Sequence, residues 1–256
     1  MLALPRSELP AISVAADPNG LALVRGVLHV ADGETGAILR VGGSPLTTID
    51  SGGVLASNRI GGLAAAPDGA LYVTRLGYGS VGALFRVASD GTTTQVDLPP
   101  ELWRLGVACD GDAIYTTQFH KAADGPYGGA VVRIADGRAT TLADGLGKPV
   151  GVACVGDAVL ATDAKQRRVV AIDAAGVRVL AAPAARPDSI CACGRDSALV
   201  TTYDAVARRG AVVQLWLDGR TREIASGPWE PRGVATDGRR AYAAVRRGGR
   251  VLVFGL

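Results

Sequence analysis

Aromatic side chains are scarce in this sequence, 5% of 256 residues. A core built on large rings is therefore excluded, and Ala, Val, Leu and Thr must carry the packing. There is one Met and there are two His, too few for a His-rich metal centre. The four cysteines, Cys109, Cys154, Cys191 and Cys193, form no CxxC pair. That argues against a structural zinc site and for small buried hydrophobes with free thiols. No apolar run approaches the ~18 residues of a membrane span, so no membrane partner is expected. The start, MLALPRSELPAISVA, lacks a charged segment followed by a long apolar one. It is read as carrying no signal peptide, and with free thiols a cytoplasmic location is expected. Charge of one sign is missing too. The 27 basic and 24 acidic residues leave +3, and no basic run interleaves with aromatics, so nucleic acid is not an expected partner. A GxSxG elbow, a phosphate-binding P-loop and a dinucleotide fingerprint are all absent.

Glycine is plentiful, 35 residues, and it recurs in a pattern. In GLAAAPDGALYVT (62–74) a Gly opens a small apolar run, Pro67-Asp68-Gly69 turns the chain, and a second apolar run returns. This is a hairpin signal, with Gly69 supplying the positive φ of the turn. The same cell opens at Gly20, Gly62, Gly106, Gly151, Ser189 and Gly233, spaced by 42, 44, 45, 38 and 44 residues on subtraction. Each hairpin is followed by a third apolar segment, as in GAILRV (36–41), GALFRV (82–87) and GAVVRI (129–134), and then by a more polar fourth. Several short strands in a period of about 40–45 residues indicate β-propeller blades. The predicted fold is all-β, a six-bladed β-propeller over residues 1–256 with four antiparallel strands per blade. The sixth cell stops after its third strand. The segment 11–16 is expected to supply the missing outer strand and close the ring.

In such a ring two sets of residues meet at one mouth: those just before each opening position, and those just after each second strand. The first set contains Asn19, Arg59, Arg104, Lys148, Arg186, Asp188, Glu230 and Arg232; the second contains Asp32, Glu34, Arg75, Gln118, His120, Asp163, Tyr203 and Asp204. Loops and strand ends on a rigid scaffold carry function. The recurring cations predict a positive funnel for an anionic or carbonyl-bearing small molecule, with Arg75, Arg104, Lys148, Tyr203, Arg232 and Trp103 as its substrate-binding residues. His120, in the long segment QFHKAADGPYGG between a second and a third strand, is a candidate general acid or base. Asp163 and Asp204 are expected to tie turn amides.

The cell GLAAAPDGALYVT, followed by GALFRV, resembles the six-bladed propellers of the senescence marker protein/gluconolactonase/strictosidine synthase superfamily, and also NHL-repeat rings. Two short motifs sharpen the resemblance. Pro18-Asn19-Gly20-Leu21 looks like the NGL motif, and Pro187-Asp188-Ser189 like the PDG motif. The resemblance implies one divalent ion (calcium, magnesium or zinc) on Asn19 and Asp188, with Asp188 also the catalytic base. The Glu that the superfamily places before an innermost strand has no counterpart here. Glu230, in WEPRG, stands three residues before its Gly as a displaced substitute. The resemblance thus implies a lactonase-like hydrolase or related tailoring enzyme with catalytic Asp188 and Glu230, beside which His120 remains the candidate acid or base read from its loop. Two alternatives stay open: a metal-free strictosidine synthase-like catalyst, and a non-catalytic NHL-type binding ring. A shallow mouth with Asp188 locked to Arg232 would favour the last.

Overall fold

A computed structural model describes residues 8–14, 17–50, 60–77, 82–98, 103–121, 125–246 and 248–256. Strand β1 (Glu8–Ser13) comes first. Blade one follows as β2 (Pro18–Val24), β3 (Val27–Asp32), β4 (Ala37–Arg40) and β5 (Pro45–Thr48). Blade two is β6 (Ile60–Ala65), β7 (Leu71–Arg75), β8 (Ala83–Val87) and β9 (Thr93–Gln95). Blade three is β10 (Trp103–Asp110), β11 (Ala113–Lys121), β12 (Tyr127–Ala135) and β13 (Arg138–Leu146). Blade four is β14 (Pro149–Val155), β15 (Ala158–Asp163), β16 (Arg168–Asp173) and β17 (Gly176–Ala181). Blade five is β18 (Arg186–Ala192), β19 (Ser197–Asp204), β20 (Arg209–Trp216) and β21 (Thr221–Gly227). Blade six is β22 (Pro231–Thr236), β23 (Arg240–Val245) and β24 (Arg250–Gly255), completed by β1.

The described strands form six four-stranded antiparallel sheets, and each innermost strand touches the innermost strand of the next blade, β22 returning to β2. The ring is closed as the sequence predicts. Strand β1 pairs with β24, Glu8 opposite Phe254 and Ser13 opposite Arg250. It covers the edge that the sixth blade would otherwise expose. Strand β1 begins earlier than the expected 11–16 segment.

The hairpin turn behaves as its residues dictate. Gly69 has φ +91°, the Ala70 amide donates to Asp68 Oδ1 at 3.0 Å, and the Gly69 amide donates to the Ala66 carbonyl at 3.0 Å. Middle strands read as continuous apolar runs because blades cover both faces. Val30, Val73, Val170, Val200 and Leu252 are all buried, in cores that lie between neighbouring blades. Outer strands such as β9 and most of β17 are exposed.

The opening glycines have a reason that lies in the next blade. A Cβ on Gly106 would sit 2.5 Å from the Val150 carbonyl oxygen, and one on Gly62 would sit 2.7 Å from that of Leu105. On Gly20 and Gly233 it would overlap the carbonyls of Gly61 and Asn19. The innermost strands approach so closely that only hydrogen fits. Ser189 is the exception among the six.

A threonine beside each of four such positions bolts the blades together. The amides of Gly62, Gly106, Gly151 and Ser189 donate to the hydroxyls of Thr74, Thr117, Thr162 and Thr201 at 2.8–2.9 Å. Those hydroxyls donate onward to the carbonyls of Leu105 (2.5 Å), Val150 (3.2 Å), Asp188 (2.5 Å) and Arg232 (2.9 Å) in the next blade. Each of these threonines is fully buried. The donor and the acceptor would otherwise be buried orphans, so each hydroxyl satisfies two groups at once. Blades one and six carry Ala31 and Ala244 at this register.

Candidate functional site

A cavity of about 530 Å³ runs down the ring axis. Its polar mouth carries Asp17, Asn19, Lys148, Arg186, Asp188, Arg232 and Arg246; its deeper wall is small and apolar and includes Cys109, Cys154 and Cys191. These thiols are free. Burial pushes the thiols of Cys109 and Cys154 up to about 12, away from the thiolate form.

At the mouth an ion-pair network joins blades five and six. Arg232 presents its two terminal nitrogens to two carboxylates. Nη1 lies 3.1 Å from Asp188 Oδ2, and Nη2 lies 3.2 Å from Glu230 Oε1. Arg186 Nη2 reaches the same two groups at 3.5 and 3.8 Å. Arg246 Nη1 is 3.4 Å from Glu230 Oε1. The backbone behind the network is pinned by the threonine bolts, since Thr162 and Thr201 hold the carbonyls of Asp188 and Arg232. The network is therefore carried on rigid strand ends rather than on loose loops.

Lys148 stands just before β14, in the blade next to Arg186 and Asp188. Fully buried Asp163 fixes its main chain: the amides of Gly147 and Lys148 donate to Oδ2 and Oδ1 at 2.9 Å each. The Lys148 ammonium lies over the Phe119 ring, 5.3 Å from its centroid, a cation–π contact. Burial lowers its pKa; Asp188 opposes that effect, and the nearby guanidiniums of Arg186 and Arg232 add to it. Among the described residues no carboxylate lies within ion-pair distance of this ammonium. Asp32 plays in blade one the part Asp163 plays in blade four, accepting from the amides of Asp17 at 3.3 Å and Glu34 at 3.0 Å. Asp204 ties the amides of Val206 and Ala207 at 2.9 and 3.0 Å.

The structure sorts the predicted site residues. Asn19, Lys148, Arg186, Asp188 and Arg232 line the cavity, and Glu230 joins them through Arg232 and Arg186. The others do not line it. His120 belongs to strand β11 rather than to a loop; it is exposed, with its ring against Gly128. Arg104 is 1% exposed and turned into its blade, with Nη1 3.1 Å from Gln118 Oε1 and burial pushing its pKa down to about 10. Arg75 donates to the Asp50 carbonyl at 2.8 Å and lies over the Phe85 ring. Trp103 packs edge to face on Phe119 at 5.4 Å. Tyr203 sits half-buried in β19, opposite Arg186 and Gly210 in the ladders. Arg59 lies outside the described residues. Arg246 was missed by the sequence reading. It follows the second strand of blade six, at the register that carries Leu76 in blade two and Ala164 in blade four, both of which also line the cavity.

The implied divalent ion is a poor match for these side chains. A hard cation wants several oxygen ligands with carboxylate charge. Asp188 Oδ2 is already shared by two guanidiniums, and Glu230 by three. The Asn19 amide nitrogen donates to the Ile60 carbonyl at 3.0 Å, joining blade one to blade two where the threonine bolt is lacking. Among the described residues no cluster of three or more His, Cys, Asp or Glu could hold a metal ion.

No family model and no curated protein sequence matches the chain. Solved structures do. A gluconolactonase from Xanthomonas campestris aligns at TM-score 0.74 and 15% identity over 98% of both chains. A calcium-binding protein, regucalcin, from Agrobacterium tumefaciens aligns at TM-score 0.71 and 14% identity over 100% of this chain and 96% of the other. Virginiamycin B lyase from Staphylococcus aureus aligns at 0.63 and 18% identity over 98% of both. At these identities the likeness is one of fold, and the chain is a six-bladed propeller built on the same plan as the gluconolactonase and regucalcin structures.

Proposed function

We propose that the mouth around Asp188 is a small-molecule site and that the chain is a lactonase-like hydrolase, or a related tailoring enzyme, for an anionic or carbonyl-bearing substrate. The observation that carries this is the placing of Asp188, Arg232 and Lys148 at the polar end of one central cavity of about 530 Å³, large enough for a ligand of sugar size. The substrate carbonyl oxygen faces Lys148 and the free edges of the guanidiniums. Their charge stabilises the oxyanion that forms as the carbonyl is attacked. Asp188 takes a proton from a water, whose oxygen bonds to the acyl carbon. The ring C–O bond then breaks, and the departing alkoxide receives the proton back from Asp188. No step passes through a metal, because the donor set does not suit one.

The test is a panel of γ- and δ-lactones followed by pH-stat, with and without exhaustive chelation. Turnover is expected to survive the chelator, and Asp188→Asn is expected to abolish it with the fold intact. Retained turnover in that variant removes Asp188 from the mechanism. A second reading, a non-catalytic binding ring, has one observation in its favour: Asp188 is ion-paired with Arg232. The cavity volume of about 530 Å³ supports the first reading, and saturable binding without turnover by any lactone would select the second.

A further inference from the structure

The two nitrogens of Arg232 bridge Asp188 and Glu230 from blades five and six. One positive group thus sits between two carboxylates at the channel mouth, which is the task a divalent ion would perform there. Arg186 spans the same pair. The charges of the mouth can be counted. Arg186, Arg232 and Arg246 share two carboxylates, Asp188 and Glu230, so this network is already net positive, and among the described residues Asp17 lies within ion-pair distance of none of the mouth's cations. Lys148 is the mouth cation that the network leaves without a carboxylate. The three arginines contact carboxylates, whereas Lys148, which lines the cavity, holds its ammonium over the face of buried Phe119. A half-buried ammonium in that position gains from an incoming anion more than an exposed one would.

We infer that the mouth is a receptor for an organic monocarboxylate with a built-in cation: Arg232 takes the place of an ion between Asp188 and Glu230, and Lys148 binds the carboxylate of the ligand. The inference rests on the mouth being the ligand site, as proposed above, but not on any turnover there. Guanidinium rather than ammonium suits the bridging place, because its planar fork serves two carboxylates at once. Ammonium suits the ligand place, because its three donors can follow a carboxylate in several orientations.

Calorimetric titration of the full chain tests this, with gluconate as the first of a series of hydroxy-monocarboxylates, sorbitol as a neutral molecule of the same carbon count, and calcium chloride as the metal probe. One saturable gluconate site is expected, none for sorbitol and none for calcium. Lys148→Met is expected to weaken gluconate at least about tenfold while thermal unfolding stays at the wild-type temperature. Arg186→Ala combined with Arg232→Ala and Arg246→Ala uncovers both carboxylates and is expected to gain calcium binding. Stoichiometric calcium binding by the wild-type chain overturns the built-in cation. Equal gluconate affinity in Lys148→Met overturns the role of Lys148, and failure of every carboxylate in the series to bind overturns the receptor. Gluconate binding with no lactone turnover leaves this inference standing and removes the hydrolase reading instead.

Discussion

Thr201 of blade five donates its hydroxyl to the Arg232 carbonyl of blade six at 2.9 Å, while the Ser189 amide donates to the same hydroxyl. A single side chain therefore joins two blades and also fixes the backbone of the arginine that binds Asp188. Thr201→Val keeps the shape and removes the hydroxyl, leaving a buried N–H and a buried C=O without it. The expected loss is about 2–3 kcal/mol, read as a lower urea midpoint with an unchanged slope. A loss below about 0.5 kcal/mol would show that the bolt is not a stabilising contact.

The close approach of the innermost strands makes a sharper prediction at Gly233, where a Cβ would overlap the Asn19 carbonyl of the neighbouring blade. Neither partner is the end of a flexible side chain. Gly233→Ala is expected to cost about 2–3 kcal/mol, by overpacking. Gly255→Ala is the control, since nothing lies within 4 Å of a Cβ there, and it is expected to be neutral within about 0.5 kcal/mol. Thermal unfolding of the two variants side by side checks the pair.

The ion pair between Asp188 and Arg232 is partly wet, with side chains 11% and 24% exposed, so screening discounts its strength. Asp188→Asn and Arg232→Gln are each expected to cost about 1–2 kcal/mol. The double variant should cost less than the sum, with a coupling of about 1 kcal/mol. Glu230 keeps Arg232 from being stranded in the first variant. Denaturant titration of the four proteins measures the coupling, and strict additivity would mean that the pair contributes nothing to stability.

His29 gives the pH dependence. It is 5% exposed, with its ring Nδ1 3.0 Å from the Val27 carbonyl. Burial lowers its pKa from 6.5; the Val27 carbonyl opposes this, and nearby Arg40 adds to it. The unfolded chain therefore binds the proton first as pH falls. The His29 contribution to stability is constant above 6.5. It declines as pH drops from there toward the lowered folded value, and levels off below that. His29→Gln is expected to flatten this segment in unfolding curves taken from about pH 8 to about pH 5.

The repeat was legible because each hairpin announces itself locally, as Pro67-Asp68-Gly69 does, and because the same cell recurs. What the opening Gly is for was not legible, since the atom that forbids a side chain at Gly106 belongs to Val150 in the next blade. The threonine bolts were in plain sight as Thr74, Thr117, Thr162 and Thr201, but threonine is common in strands and its partners lie across a blade boundary. Among the cations, Lys148 and Arg186 stand three residues before their opening positions and Arg232 one, and all three reach the mouth, whereas Arg104 stands two before Gly106 and is buried in its blade. Each innermost strand shifts register at this place, so plain alternation could not sort them from the sequence. The pairing of Asp188 with Arg232 entered the sequence reading only as a condition, because the neighbouring blade is what brings Arg232 within 3.1 Å of it.

The pairing of β1 with β24 has a consequence for how the molecule is made. The last strand reads RVLVFG, with Val251, Leu252, Val253 and Phe254 buried in the finished ring. Its covering strand is the first described segment of the chain, so the closing contact is the most distant in sequence and carries the largest loop-closure cost. Until it forms, an apolar edge of the sixth blade is open to any passing strand. Residues 8–13 are thus expected to shield this edge as the ring closes, and a variant with weakened β1 pairing is expected to lose yield to aggregation during refolding, read by light scattering.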